Sequence, residues 1–171
     1  MITPEQEKWI ETLSDNAVRI VPYDNRSNYL FNRVKKKIHN LLGSRVIVEH
    51  CGVSSFGISG QDEIDVSIVV KKDKFDTYIP KLETEFGSVR SRYVDRARFE
   101  VREEGKKIDL KLVDIDHPNY INSKIFETHL RSNPEGLERY RILKEETNGV
   151  TVKEYYRTKI DFINNILLKA S

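Results

Sequence analysis

The sequence has a single cysteine, Cys51, among 171 residues, so an intrachain disulfide cannot form. It has no long apolar run and no signal-like amino terminus, and we expect a cytoplasmic protein that does not enter membranes. An excess of one charge is also missing, because 29 basic residues face 27 acidic ones, which gives no general case for nucleic-acid binding. His39, His117 and His129 lack ligand-like spacing, which argues against zinc.

The most informative stretch is a loop of small residues, from residue 52 to 60, that leads into a strand beginning with alternating acids. Because successive side chains of a strand point to opposite faces, Glu63, Asp65 and Ser67 share one face. A later acid, Asp109, interrupts a second apolar strand and has Lys111 beside it on its own face. If the two strands are neighbours, three carboxylates converge.

Three convergent carboxylates suit a divalent metal ion held against phosphate. Magnesium prefers oxygen ligands, and two such ions activate the attacking oxygen and stabilise the leaving one at phosphorus. Gly52 lets the loop approach a triphosphate, and Ser54 or Ser55 can donate hydrogen bonds to it. Without a cation the carboxylates should repel one another and destabilise the site. The structural alternative is a Gly-Ser turn before an edge strand with a solvated acidic face.

The remaining sequence predicts helices around a short sheet. The first helix begins with a cap at Thr3. A second helix follows from its apolar spacing and ends at Gly43. Pro80 should bend or interrupt a third helix. The last third is helical, with starts at Ser123, Asn133 and Thr151. Trp9, Ile10 and Leu13 form the buried stripe of the first helix. The predicted strands are 45–50, 63–70 and a hairpin of 99–102 with 107–113; Asp62 and 114–120 are placed in loops.

Three features of the sequence resemble the nucleotidyltransferase superfamily. They are a glycine followed by a small residue, the acid-hydrophobic-acid strand about a dozen residues later, and the single later acid. More specifically, the chain resembles its GrpB branch. The resemblance covers nearly everything after residue 17. It rests on Val18–Asp24, Glu49–Gly52, His129–Glu135, Tyr140–Lys144 and Tyr155–Ile163.

The resemblance implies an α/β nucleotidyltransferase-like fold, with a short mixed, twisted sheet flanked by helices and a helical carboxyl-terminal part. Residues 1–17 would be a helical extension and 18–171 the domain. The implied activity is transfer of a nucleoside monophosphate from a nucleoside triphosphate to an unidentified acceptor. Glu63, Asp65 and Asp109 would be catalytic and would hold Mg²⁺ or Mn²⁺, with Asp109 a candidate base.

The resemblance also implies a set of phosphate-binding groups. Arg131, Lys144 and Lys159 match recurring basic positions of the branch, and Tyr140 and Tyr155 lie near them, either to stack on a base or to form a helix seam. The predicted nucleotide-binding residues are therefore Gly52, Ser54, Ser55, Arg131, Lys144 and Lys159.

Three departures from the branch bear on the site. Gln61-Asp62-Glu63-Ile64 precedes Asp65 where the branch has Lys-Pro and two apolar residues before its aspartate. Gly52-Val53-Ser54 stands where the branch has Gly-Ser-Thr, and Asp109-Leu110-Lys111 stands where it often has His-x-His. At its acidic positions the sequence is closer to the general nucleotidyltransferase pattern, which favours a metal site. Two alternatives stay open. One is a nucleotide-binding regulatory module without turnover. The other is a nucleic-acid or protein interaction domain that uses the arginines of 90–102, although such arginines are more often solvated and paired with nearby glutamates.

Overall fold

The computed structural model of the chain describes residues 1–170, the last of them without its side chain. The chain divides into two compact units, each assembled from separate segments. The sheet unit consists of Tyr23–Gly57 and Asp62–Ile121. The helical unit consists of Met1–Pro22, Ile58–Gln61 and the chain from Asn122 onward.

The sheet unit contains a mixed five-stranded sheet. Its strands are β1 (Ile47–Cys51), β2 (Glu63–Val70), β3 (Ser91–Arg92), β4 (Arg96–Glu103) and β5 (Lys106–Asp114), arranged in the order β1-β2-β5-β4-β3. The central pair, β2 and β5, is parallel, and every other neighbouring pair is antiparallel. The predicted acidic strand and the predicted hairpin are therefore both confirmed.

One face of this sheet carries the hydrophobic core. Two helices, α2 (Ser27–Leu42) and α3 (Phe75–Phe86), contribute the apolar side chains that pack against it. The fully buried strand residues are Ile64, Val66 and Ile68 from β2, Ala97 and Phe99 from β4, and Ile108, Leu110 and Leu112 from β5. Burying each such side chain stabilises the fold by about 1.5–3 kcal/mol. Because side chains alternate, these residues turn the acids of both strands to the opposite, polar face.

Local signals set the ends of these elements. Gly43, with positive φ, terminates α2 as predicted, and Gly87, also with positive φ, terminates α3. Pro80 was predicted to bend or interrupt α3; the helix continues through it, so it is not interrupted. The β4–β5 hairpin turns at Glu104 and Gly105, whose consecutive positive φ angles of 48° and 81° match the right-handed twist of the strands.

The helical unit consists mainly of α1 (Pro4–Glu11), α4 (Pro118–Ser132), α5 (Pro134–Glu146) and α6 (Val152–Ala170); the first turn of α4 belongs to the sheet unit. Capping boxes at Thr3 and Thr151 and an Asn133 cap begin α1, α6 and α5 as predicted. Arg157 of α6 bonds two glutamates of α1. None of the described helices is long and apolar enough to cross a bilayer.

Two predictions about the helices are wrong. The helix α4 begins at Pro118 rather than at Ser123, because proline suits a first helical position and the Nδ1 atom of His117 accepts the Asn119 N–H at 3.2 Å. Trp9 is 46% exposed, whereas its neighbour Ile10 is fully buried. The Trp9 ring instead meets Tyr156 edge-on, with centroids 5.1 Å apart.

Candidate functional site

The predicted acids lie on neighbouring strands and on one face. In the parallel β2–β5 pair, Asp65 stands directly opposite Asp109, and Glu63 lies one alternate position away opposite Lys107. Parallel pairing with no offset brings the two aspartates together, since both point away from the core. The spacing of the acids predicted the shared face, and the pairing of β2 with β5 places Asp65 opposite Asp109.

Lys111 occupies the space between the two aspartates. Its Nζ atom lies 2.6 Å from Oδ1 of Asp65 and 3.2 Å from Oδ2 of Asp109. The side chain of Asp109 is only 7% exposed and that of Lys111 24% exposed, so this ion pair is poorly screened by water. An ammonium group thus stands where the sequence predicted a metal ion.

The charge of Lys111 is stabilised by its surroundings. Burial alone would lower the pKa of its ammonium group. The attraction of Asp65 and then of Asp109 outweighs burial, and the pKa is raised above its usual value. Lys111 therefore stays protonated across the physiological range and remains a fixed positive charge.

The other acids of this face also have cationic partners. Arg98 of β4 donates to both oxygens of Asp109, from Nε at 3.3 Å and from Nη2 at 2.8 Å. Lys107 lies 2.9 Å from Glu63. The expected repulsion among three unpaired carboxylates is therefore wrong, because each carboxylate has a cation within hydrogen-bond distance.

These residues do not fit a divalent metal as they are arranged. Their carboxylate chemistry suits Mg²⁺ or Mn²⁺. However, within residues 1–170 no group of three or more histidine, cysteine, aspartate or glutamate side chains is placed to hold a metal ion. The signal was readable in the sequence: Lys107, Asp109 and Lys111 alternate along one strand, so both lysines had to share the face of the aspartate.

The glycine loop makes direct contact with this cluster. Gly52 has a φ of 65°, and a Cβ atom added to it would lie 2.4 Å from Oδ2 of Asp65. Only glycine permits both this conformation and this approach. Asp65 therefore has one oxygen against the loop and the other on Lys111, so the loop and the ammonium group are neighbours across a single carboxylate.

The loop serines mainly hold the loop in shape. Residues Val53–Ser55 form a short 3₁₀ turn after Gly52. Ser54 is 6% exposed, and its Oγ lies 2.9 Å from Nε2 of His50, while the hydroxyl of Ser55 donates to the Gly52 carbonyl at 2.8 Å. His50 contacts Ser54 and stacks on Phe31, so its ring helps to hold this loop in place. The first N–H groups of such a turn have no partner within it, so they are the groups suited to an anion.

The three predicted basic residues from the last third, Arg131, Lys144 and Lys159, belong to the helical unit. Lys144 is 2% exposed, and its ammonium group bonds the hydroxyl of Tyr155 and lies over the ring of Tyr140. Lys159 lies over the Tyr155 ring, 5.9 Å from its centroid. Tyr140 and Tyr155 are buried, which matches a tyrosine-rich helix seam.

The arginines of the 90–102 segment have partners within the sheet unit. Arg90 bonds Glu100, Arg92 bonds Asp76, Arg96 bonds Asp95, Arg98 bonds Asp109 and Arg102 bonds a backbone carbonyl. Four of these five guanidinium groups thus have a carboxylate partner. The segment matches the structural interpretation of these arginines better than it matches a nucleic-acid interface.

A mixed sheet with helices on one face and paired aspartates on the other is consistent with the nucleotidyltransferase superfamily. The family model described as GrpB protein matches residues 17–169. The chain belongs to the GrpB family, as the sequence features indicated.

Solved structures agree on the fold. The conserved protein GrpB from Enterococcus faecalis has a TM-score of 0.67 to this chain at 20% sequence identity. The match covers 88% of this chain and 96% of that one. At this identity the likeness shows a shared fold. No curated protein matches the chain.

Proposed function

We propose that this GrpB-family chain binds the phosphate groups of a nucleoside triphosphate without a divalent metal, as a nucleotide-binding module. The observation that carries the proposal is the ammonium group of Lys111, held between Asp65 and Asp109 beside the Gly52 loop. In metal-dependent phosphoryl chemistry, cations offset the charge of the phosphates. Here the ammonium group of Lys111 supplies positive charge beside Asp65 and Asp109, where a metal ion would supply it.

The hydrogen-bonding capacity of the cluster supports this function. A lysine ammonium group carries three hydrogens, and Lys111 directs two of them to the aspartates. The third can meet a phosphate oxygen placed on the N–H groups of Val53 and Ser54. Lys107, 33% exposed and paired with Glu63, adds a second cation on the same face. A phosphate at the loop would contact these hydrogen-bond donors and lie near the positive charges of the lysines, while the aspartates keep their partners.

The proposal is tested by a thermal-shift screen of the common nucleoside triphosphates, each with magnesium and with excess EDTA. A ligand at about one hundred times its Kd stabilises the folded state by about 2.7 kcal/mol. We expect the same triphosphates to stabilise the protein in both buffers. No stabilisation by any triphosphate in either buffer would overturn the proposal.

A second candidate is the activity that the sequence predicted, nucleotidyl transfer with Mg²⁺ or Mn²⁺ on Glu63, Asp65 and Asp109. The in-register position of Asp65 and Asp109 on parallel strands favours it. It requires Lys111 to withdraw from both aspartates. Its signature is magnesium-dependent pyrophosphate release with a suitable acceptor, which Asp65→Asn abolishes. We expect no release above the level of that variant.

A further inference from the structure

His117 caps the helix α4 with one of its two ring nitrogens. The helix begins at Pro118, which has no N–H, so Asn119 carries the first helical amide that needs a partner. This N–H donates to the Nδ1 atom of His117 at 3.2 Å. A ring nitrogen that accepts a hydrogen bond carries no hydrogen of its own. The cap therefore requires the neutral form of His117, with its hydrogen on Nε2.

The same nitrogen atom lies near a buried carboxylate. Oδ2 of Asp95 is 3.8 Å from Nδ1 of His117, and the side chain of Asp95 is only 8% exposed. Burial alone would raise the pKa of Asp95. The hydrogen bond from the Asn119 side chain, at 2.9 Å, and the charge of Arg96 outweigh burial, and the pKa is lowered below its usual value. Asp95 therefore stays ionised in mild acid and would attract a protonated histidine ring.

One proton decides which of these two partners Nδ1 can serve. The neutral ring accepts from the Asn119 amide, whereas a hydrogen on Nδ1 would oppose that amide and suit the carboxylate of Asp95. The charged groups on the neighbouring elements are mostly acidic: Asp114 and Asp116 precede His117 on the chain, and Arg96 is bonded to Asp95. Histidine is the side chain that ordinarily changes charge between about pH 5 and pH 8. Mild acid can therefore exchange one partner for the other.

The first turn of α4 contacts the sheet face that carries the candidate site. The hydroxyl of Tyr120 in this turn donates to Glu49 of β1 at 3.3 Å. Glu49 stands opposite Ser67 of β2, and Ser67 stands opposite Lys111 of β5. These three residues form one row across the polar face, since Glu49 alternates with the buried Val48. The position of the turn therefore determines where Tyr120 lies relative to that row.

We infer that His117 is a pH-sensitive cap, which holds the first turn of α4 when its ring is neutral and exchanges Asn119 for Asp95 when its ring is protonated. The exchange loosens the turn that places Tyr120 on Glu49. All the groups involved belong to the sheet unit. The inference does not depend on the proposed triphosphate function.

The experiment is nuclear magnetic resonance of the full chain, titrated from about pH 8 to about pH 5. At the upper end, the nitrogen shift of Nδ1 in His117 should be that of an unprotonated ring nitrogen. Towards the lower end, the Asn119 amide should lose its hydrogen bond. Its protection against hydrogen exchange, corrected for the intrinsic rate at each pH, should fall by about fivefold, as expected for the loss of a helix cap. The ring signals of Tyr120 should shift over the same pH range.

The key variant is His117→Asn, because asparagine also caps a helix but does not titrate in this range. Its protection at Asn119 should be equal at both ends of the titration. The matched control, His39→Asn, removes a titrating histidine from α2 and should keep the wild-type response. Asp95→Asn should move the response to lower pH, because the protonated ring of His117 loses its charged partner.

Several results would overturn the inference. Wild type alone is decisive if Nδ1 of His117 carries a hydrogen at the upper end of the titration, or if the Asn119 amide does not respond to acid. An equal response in His117→Asn would show that another group titrates. A response of unchanged midpoint in Asp95→Asn would exclude the proposed exchange of partners.

Discussion

Replacing Lys111 by methionine removes the ammonium group between the aspartates while keeping most of the side-chain volume. Breaking a fully buried ion pair costs about 3–5 kcal/mol, and an exposed pair contributes about 0–1 kcal/mol. Lys111 is 24% exposed and Asp109 only 7% exposed, which places this pair between the two limits. We expect a loss of about 2 kcal/mol, or about 4–8 °C in Tm for a chain of this length.

The same substitution should create a response to magnesium. With the ammonium group gone, Asp65 and Asp109 face each other with one cation fewer, and a divalent ion can take its place. Magnesium at about ten times its Kd would then stabilise Lys111→Met by about 1.4 kcal/mol, or roughly 3–6 °C. Wild type should show no such rise.

The matched control for this prediction is Lys107→Met. Lys107 is 33% exposed and pairs with Glu63, so its loss leaves Lys111 between the aspartates. This variant should lose less stability than Lys111→Met and should not respond to magnesium. Both variants and wild type are compared by differential scanning calorimetry with EDTA and with magnesium. The reasoning is refuted if Lys111→Met is as stable as wild type, or if wild type gains as much from magnesium as the variant does.

Two further predictions concern stability. Gly52→Ala should lower the free energy of unfolding in urea by about 2–4 kcal/mol, because its Cβ atom would meet Asp65. Gly57→Ala, at a positive φ but with open space around it, should lower this free energy by about 1–2 kcal/mol. Equal losses would contradict the contact argument. Glu103 is 5% exposed, and hydrogen bonds from Lys37 and a neighbouring arginine lower its pKa below the usual 4.5. The ionised Glu103 side chain stabilises the fold above pH 4.5, and this stabilisation disappears as pH falls through the lowered pKa. Glu103→Gln should therefore be less stable than wild type at pH 7 by about 1–3 kcal/mol. The difference should shrink below about pH 4. A constant difference across the acid range would refute the charge argument.

Strand alternation predicted most of the sheet unit correctly. Glu63 and Asp65 fall on one face because residues two apart share a face, and Asp109 joins them because β2 and β5 pair without offset. Helix ends with strong signals, such as Gly43, also followed from sequence. The predicted helix start at Ser123 was wrong because a proline start competes with this side-chain cap. The helix α4 begins at Pro118, five residues earlier.

The charge state of the site was harder to predict. The sequence placed Lys111 on the face of Asp109, but the distance from its ammonium group to Asp65 depends on strand register. Arg98 reaches Asp109 from a third strand, and only the hairpin pairing of β4 with β5 determines that contact. Tertiary pairing therefore placed a cationic side chain beside each of the predicted acids.

The most direct test of the account is a calorimetric titration of wild type with a stabilising nucleoside triphosphate, once in excess EDTA and once in excess magnesium. If Lys111 supplies the charge that a metal would supply, the two Kd values should agree within about threefold, a difference of about 0.7 kcal/mol. Binding that is more than about tenfold tighter with magnesium, a difference of about 1.4 kcal/mol, would contradict it.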